Sequence, residues 1–344
     1  MKLFWKEILI CMLMGLVVPG AFMEISEAVM EKQDTAAPDA AVAVVTPVTQ
    51  HTEATESPTE PGPQIRVRQQ DGSLSTMELE EYLVGVVLAE MPASFETEAL
   101  KAQSVAARTY AGKAMLTGGK HGDGSICVSD QCCQAYLSPE EYVERGGMLQ
   151  AVEKVRGAVN DTAGQVLTFD GQLIEATYFS CSGGSTEDAR AVWGSDFPYL
   201  RAVESPGEQE LFTETRQFSR EKLEVLLGVS LPDDPEKWLG PEVRTPGDGV
   251  ESLEIGGKTF SGGALRGLLG LRSTCFTASS GTYGLEICSR GYGHRVGMSQ
   301  YGADAMAAAG KTCEEILSYY YSGTQIGNFD ALLAESSGNL LHNE

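Results

Sequence analysis

In the segment 85–111, GVVLAEMPASFETEALKAQSVAARTYA, one of the acids, Glu90, follows an apolar run and sits two residues before Pro92. Leu79, Tyr82, Leu83, Val86 and Val87 recur at helical spacing, and Glu90 is the next member of that series. An acid on an apolar stripe resists ionisation, and the negative end of a helix dipole adds to the effect. A carboxyl group kept protonated near neutral pH is what general-acid catalysis needs. The rival reading is a structural acid that caps the helix or pairs with Arg108 in the core.

A second group lies in Arg290-Gly-Tyr-Gly-His-Arg-Val-Gly-Met-Ser-Gln300. Its glycines let backbone approach something closely, and His294, Ser299 and Gln300 offer hydrogen-bonding groups. Tyr292 and Tyr301 add apolar faces. Hydroxyl-binding groups beside aromatic faces suit a sugar. The structural alternative is a tight loop before a helix.

The third group is HGDGSICVSDQCC, residues 121–133. His121, Cys127, Cys132 and Cys133 make a tetrahedral zinc set with no open position, so the metal's role would be structural. Disulfides and free thiols are the other readings. Cys275 and Cys288 bridge two strands or stay as buried thiols, and Cys181, with no paired base, reads as packing.

The elements that must position these groups are of mixed type. Ser75-Thr-Met-Glu78 reads as a capping box that opens the Glu90 helix, which Pro92 ends. A second helix is predicted from Ser94, as N-cap, to Leu116, with Lys101, Ser104 and Arg108 on one face. Helices are also predicted over 138–158, over 219–227 and after Thr312, which pairs with Glu315 as a cap. The stretch 164–184 reads as a hairpin turning at Asp170-Gly171, with Ile174, Ala176, Tyr178 and Ser180 facing one way. Residues 250–272 mix strand and helix. Helices and strands interleave without a βαβ rhythm, so the class is α+β, with mixed helices and antiparallel hairpins around a substrate cleft.

The chain has 344 residues, a net charge of −23 and a pI near 4.5. That charge argues against binding a nucleic-acid backbone. Lys2 and Lys6 precede a short apolar run, read as an N-terminal membrane helix over 1–24 or, alternatively, a signal peptide. The flanking charges put the bulk of the chain outside. Residues 25–64, rich in Ala, Thr, Pro and Glu, read as a disordered spacer.

EYLVGVVLAEMPASFETEALKAQSVAARTYA closely resembles the signature of the stage II sporulation protein D family. YFSCSGGSTEDA, GLRST and GYGHRVGMSQYGA are similar to that family's later motifs, in the same order. The resemblance spans residues 65–326 and leaves 327–344 as a flexible tail. It implies a lytic transglycosylase that cuts between N-acetylmuramic acid and N-acetylglucosamine in strands stripped of stem peptides, leaving a 1,6-anhydro end. It puts the catalytic acid on Glu90 and substrate contacts on Arg108, Tyr178, Ser180, His294, Ser299 and Gln300. For Arg108 a core salt bridge stands beside that role.

The resemblance further implies metal binding at the cysteine loop and work in engulfment during endospore formation. The location implied is the mother-cell membrane, facing the space around the forespore. The partners implied are the amidase, stage II sporulation protein P, and the membrane protein of stage II sporulation, M. The wider family also includes amidase enhancers, so a non-catalytic glycan-binding module is the rival function. A zinc peptidase is disfavoured, because no H-E-x-x-H occurs. One departure stands out: Arg295 occupies a position that is Gly in many relatives. A positive φ there costs energy, or the side chain reaches an acid instead.

Overall fold

The structure, a computed structural model, describes residues 62–208 and 210–341. The expected N-terminal membrane helix and nearly all of the predicted spacer lie outside the described residues. Among the described residues no helix is long and apolar enough to cross a membrane.

The chain starts with strands β1 (Gln64–Arg68) and β2 (Leu74–Glu78), then helices α1 (Leu79–Glu90) and α2 (Thr97–Thr117). A glycine-rich loop containing the short β3 (Ile126–Cys127) leads to α3 (Pro139–Glu144) and α4 (Leu149–Asp161). Then come β4 (Gln165–Phe169), β5 (Gln172–Leu173), β6 (Tyr178–Phe179) and α5 (Ala189–Trp193). An inserted lobe holds β7 (Glu214–Phe218), α6 (Arg220–Leu227), β8 (Leu239–Arg244), β9 (Val250–Ile255), β10 (Lys258–Ser261), α7 (Gly262–Leu269), β11 (Phe276–Gly281) and β12 (Gly284–Ser289). The chain returns through β13 (Met298–Ser299), α8 (Gln300–Ala308), α9 (Cys313–Tyr320), β14 (Gln325–Asn328) and α10 (Phe329–Leu341). The class is α+β. Most strand pairs are antiparallel, but β1 with β3 and β6 with β13 run parallel.

Helix α2 packs against α1, α4, α8, α9 and β4. Ala99, Ala102, Ala106, Ala107 and Ala111 are fully buried, which lets these neighbours come close. This first core continues through Val296, Met298 and Tyr320. The inserted lobe has a second core, built on Phe218, Leu223, Leu253, Leu265, Phe276 and Ile287.

Several expected boundaries are corrected. Ser75 lies in β2 opposite Val67, so the α1 N-cap is Glu78, with no side-chain cap. The pairing of β2 with β1 takes the residues that the capping pattern needed. Helix α2 starts at Thr97 after Glu96, not from Ser94. Gly146, at φ 97°, falls in the break between α3 and α4, where one helix was expected. The Asp170-Gly171 turn forms with positive φ at both residues, but β5 ends at Leu173. The strand then re-forms as β6, paired with β13 instead of β4. The expected tail at 327–344 starts inside β14 and continues as α10, where Phe329 is fully buried over Gly112. Thr312 and Glu315 do form their capping box.

Candidate active site

Leu79 and the whole run from Tyr82 to Leu88 are buried, so the middle of α1 is enclosed on all sides instead of carrying one apolar stripe. Its last residue, Glu90, is half-buried. Met91 is extended, as the residue before a proline prefers, and the helix stops there. The Ala135 amide donates to Glu90 Oε1 at 2.8 Å, and the Gln300 side chain donates to the same carboxyl group. Burial is the largest influence and lifts the Glu90 pKa to about 7; the two hydrogen bonds pull it down, and Asp130 pushes it up. An acid so placed exists in both protonation states near neutral pH.

Behind Glu90 runs a chain of buried polar groups. Tyr82 donates to Gln134 Oε1 at 3.2 Å, and Gln134 Nε2 donates to the Tyr178 hydroxyl at 2.8 Å. Burial first, and Glu90 after it, push the Tyr178 phenol well above its usual range, so it stays protonated. Gln300, the first residue of α8, donates to Gln103 Oε1 at 3.5 Å. Gln103 is fully buried, and its Nε2 has no partner among the described residues.

The other expected contacts divide. Ser299 is fully buried; its hydroxyl donates to Glu208 and accepts from Gly302 N, capping α8 and so aiming Gln300. Ser180 is half-buried, and its carbonyl accepts from Tyr301 N at 3.0 Å. His294 lies between the rings of Phe179 and Trp193, at 5.5 and 5.3 Å. Its Nδ1 accepts from Val296 N. Burial, then Arg266, lowers its pKa to about 4, so the ring is neutral at ordinary pH.

Arg108 is not brought to the site. It is fully buried, makes a two-point pair with Glu80 at 2.6 and 2.9 Å, and donates to the carbonyls of Val159 and Gln165. All this fixes it as a core ion pair, and its partner is Glu80, not Glu90.

Arg295 does both things open to it. Its φ is 68°, in the left-handed region. Its fully buried guanidinium pairs with Glu187 at 3.0 Å and donates to the carbonyls of Ser182, Ser185 and Gly247. The backbone conformation costs about 1–2 kcal/mol. The buried pair holds it in place.

His121, Cys127, Cys132 and Cys133 converge, with their donor atoms all within 4.8 Å of one another. Cys133 Sγ is 3.5 Å from His121 Nε2 and 3.9 Å from Cys132 Sγ. Sulfurs on a tetrahedral zinc at about 2.3 Å would stand about 3.8 Å apart, so the donor set fits that ion. Cys127 gains its place by pairing with Arg68 on β1. Cys275, Cys288, Cys181 and Cys313 are free thiols.

Sequence reasoning missed Gln103, Gln134, Ala135, Glu208 and Trp193. Gln134 and Ala135 immediately follow Cys133. That adjacency was visible, yet an amide N–H donor has no side-chain signature.

A family model described as Stage II sporulation protein matches residues 68–169. Stage II sporulation protein D of Bacillus subtilis (strain 168) is 41% identical over 268 residues, 76% of this chain and 78% of that one. Stage II sporulation protein D of Bacillus amyloliquefaciens is 38% identical over 275 residues, 78% of this chain and 79% of that one. An amidase enhancer of Bacillus subtilis (strain 168) is 30% identical over 303 residues, 72% of this chain but 40% of the relative. These matches put the chain among sporulation proteins, with an amidase enhancer among its relatives. The chain belongs to the stage II sporulation protein D family.

Proposed function

We propose that the protein is a peptidoglycan lytic transglycosylase acting on peptide-free glycan during engulfment. The observation that carries this reading is the half-buried Glu90, whose pKa is near 7 and which is held by Ala135 and Gln300. Glu90 donates its proton to the glycosidic oxygen as the bond from the muramoyl C1 breaks. The C6 hydroxyl of the same muramoyl sugar attacks C1, closes the 1,6-anhydro ring and gives its proton back to Glu90. Atoms and charge balance without water. An ordinary glycosidase needs a second carboxylate, and this route does not. Tyr178, Ser180 and His294 are the groups expected to meet the sugar. Gln300 and Ser299 act by holding Glu90 and α8.

His121, Cys127, Cys132 and Cys133 would hold a structural zinc ion, which would brace the loop ahead of Gln134 and Ala135. The protein is proposed to be anchored by residues 1–24 with its catalytic part outside the cytoplasm. Stage II sporulation proteins P and M are its proposed partners. Release of full-length protein from membranes by a carbonate wash would end the anchor.

The test is purified protein on amidase-treated glycan strands, read by mass spectrometry beside Glu90→Gln. Anhydro-ended fragments from the natural chain only are expected. Water-added reducing ends would mean a hydrolase, with Asp130 as the acid to examine. A second reading, the non-catalytic enhancer, is favoured by the similarity to an amidase enhancer. It predicts no fragments, with equal stimulation of an amidase by both forms.

A further inference from the structure

We propose that Arg266 reads the carboxylate of the substrate, binding the free lactyl group that a muramoyl sugar exposes once its stem peptide is gone. The inference rests on the glycan reading above and names a specificity residue within it. Arg266 lies on α7 of the inserted lobe and is half-buried. Its side chain has no hydrogen-bond or ion-pair partner among the described residues. In a chain of net charge −23, a partly desolvated guanidinium without an acid is unexpected. Arg108 and Arg295, the fully buried arginines of the first core, both have carboxylate partners. Arg266 instead stands within electrostatic range of His294 and Tyr292.

Those neighbours join it to the cleft. His294 is bonded to the backbone of Tyr178, whose phenol is within electrostatic range of Glu90. Gly293 N donates to Arg272 O at 3.1 Å, which ties the His294 loop to the inserted lobe. Trp193, whose ring centroid is 5.3 Å from that of His294, and Tyr292, two residues before His294, are 42% and 44% exposed and offer ring faces to a sugar. A cation beside an exposed aromatic ring suits an anionic sugar. In a peptide-bearing strand the lactyl carbonyl is a neutral amide. Removing the peptide leaves a carboxylate, which a guanidinium fork can grip with two charge-assisted hydrogen bonds.

Binding would be measured on full-length Glu90→Gln protein, which holds ligand without turning it over. The probes are a peptide-free glycan oligomer, the same oligomer with its lactyl groups capped as methylamides, and a peptide-bearing oligomer. The capped oligomer is expected to bind about tenfold more weakly than the free acid. Adding Arg266→Gln is expected to erase that difference and leave capped-oligomer binding unchanged, and Arg266→Lys to restore part of it. Persistence of the tenfold difference in Arg266→Gln would overturn the proposal. So would tight, Arg266-dependent binding of the peptide-bearing oligomer, because the anion would then belong to the peptide. If cleavage by the natural chain survives either of those results, the glycan reading stands and only the role of Arg266 falls. Binding of none of the three, with no cleavage, would remove both.

Discussion

At the scale of single residues, the central fact is a carboxyl group whose environment resists charge. Burial outweighs the two hydrogen bonds that favour the carboxylate, so the Glu90 pKa comes out near 7. If the protonated form is the working acid, the rate falls as pH rises through about 7. Glu90→Gln should lower cleavage by at least about 100-fold, measured as anhydro ends released. The same group affects stability. Its folded pKa lies above the unfolded value, so stability is fully present below the ordinary carboxylate pKa and lost as pH rises through about 7. Glu90→Gln should therefore unfold at higher denaturant than the natural chain at pH 8, by up to about 3 kcal/mol. The gap should close near pH 4. Equal midpoints at both pH values would mean that Glu90 is not desolvated.

At the scale of elements, α1 and the segment after the cysteine loop hold the acid between them. Gly85 lets them meet: an added Cβ would lie 2.4 Å from the Tyr136 ring and 3.0 Å from Leu137 O. Tyr136 in turn stacks on Tyr82 at 5.6 Å. Helix propensity alone favours Gly85→Ala by about 1 kcal/mol. The clash should reverse that sign, lowering both the melting temperature and the cleavage rate. Leu137 N also bonds Gly85 O, so a shift there reaches Ala135 and Gln134. The cysteine loop anchors the other end of this segment. Elemental analysis is expected to find a single zinc ion per chain. Chelation should cut cleavage by about 10–100-fold with little change in far-ultraviolet circular dichroism. No metal, together with two bridged cysteines in this loop, would end the zinc proposal.

At the scale of the molecule, two cores meet at Arg295. Its guanidinium bonds Glu187 and Ser182 near the first core and Gly247 in the inserted lobe. Thr245 of that lobe donates to Glu187 at 2.7 Å. Arg295→Gly would relieve the left-handed backbone but leave Glu187 buried and unpaired. Removing one partner of a buried pair costs about 3–5 kcal/mol, more than the about 1–2 kcal/mol of strain. Net destabilisation is expected in denaturant melts, with part recovered by Glu187→Gln in the same chain. A stabilised single variant would show that the pair does not hold the lobes.

Local chemistry was readable without the fold. The end of α1 at Pro92, the Asp170-Gly171 turn and the Thr312 cap depend on neighbours within a few residues, and all are present. That Arg295 reaches an acid was one of two outcomes its sequence left open, and His121, Cys127, Cys132 and Cys133 lie together because they share one short loop. Long-range pairing decided the rest. Ser75 went to a strand because β1 was there to pair with it. Arg108 went to Glu80, 28 residues away, because both project from adjacent packed helices. The amide that holds Glu90 left no periodic pattern to read, and the helix read over 219–227 did not show where the inserted lobe would sit. Helix period and turn chemistry are written in consecutive residues, whereas a site is made where distant segments are forced into one small volume.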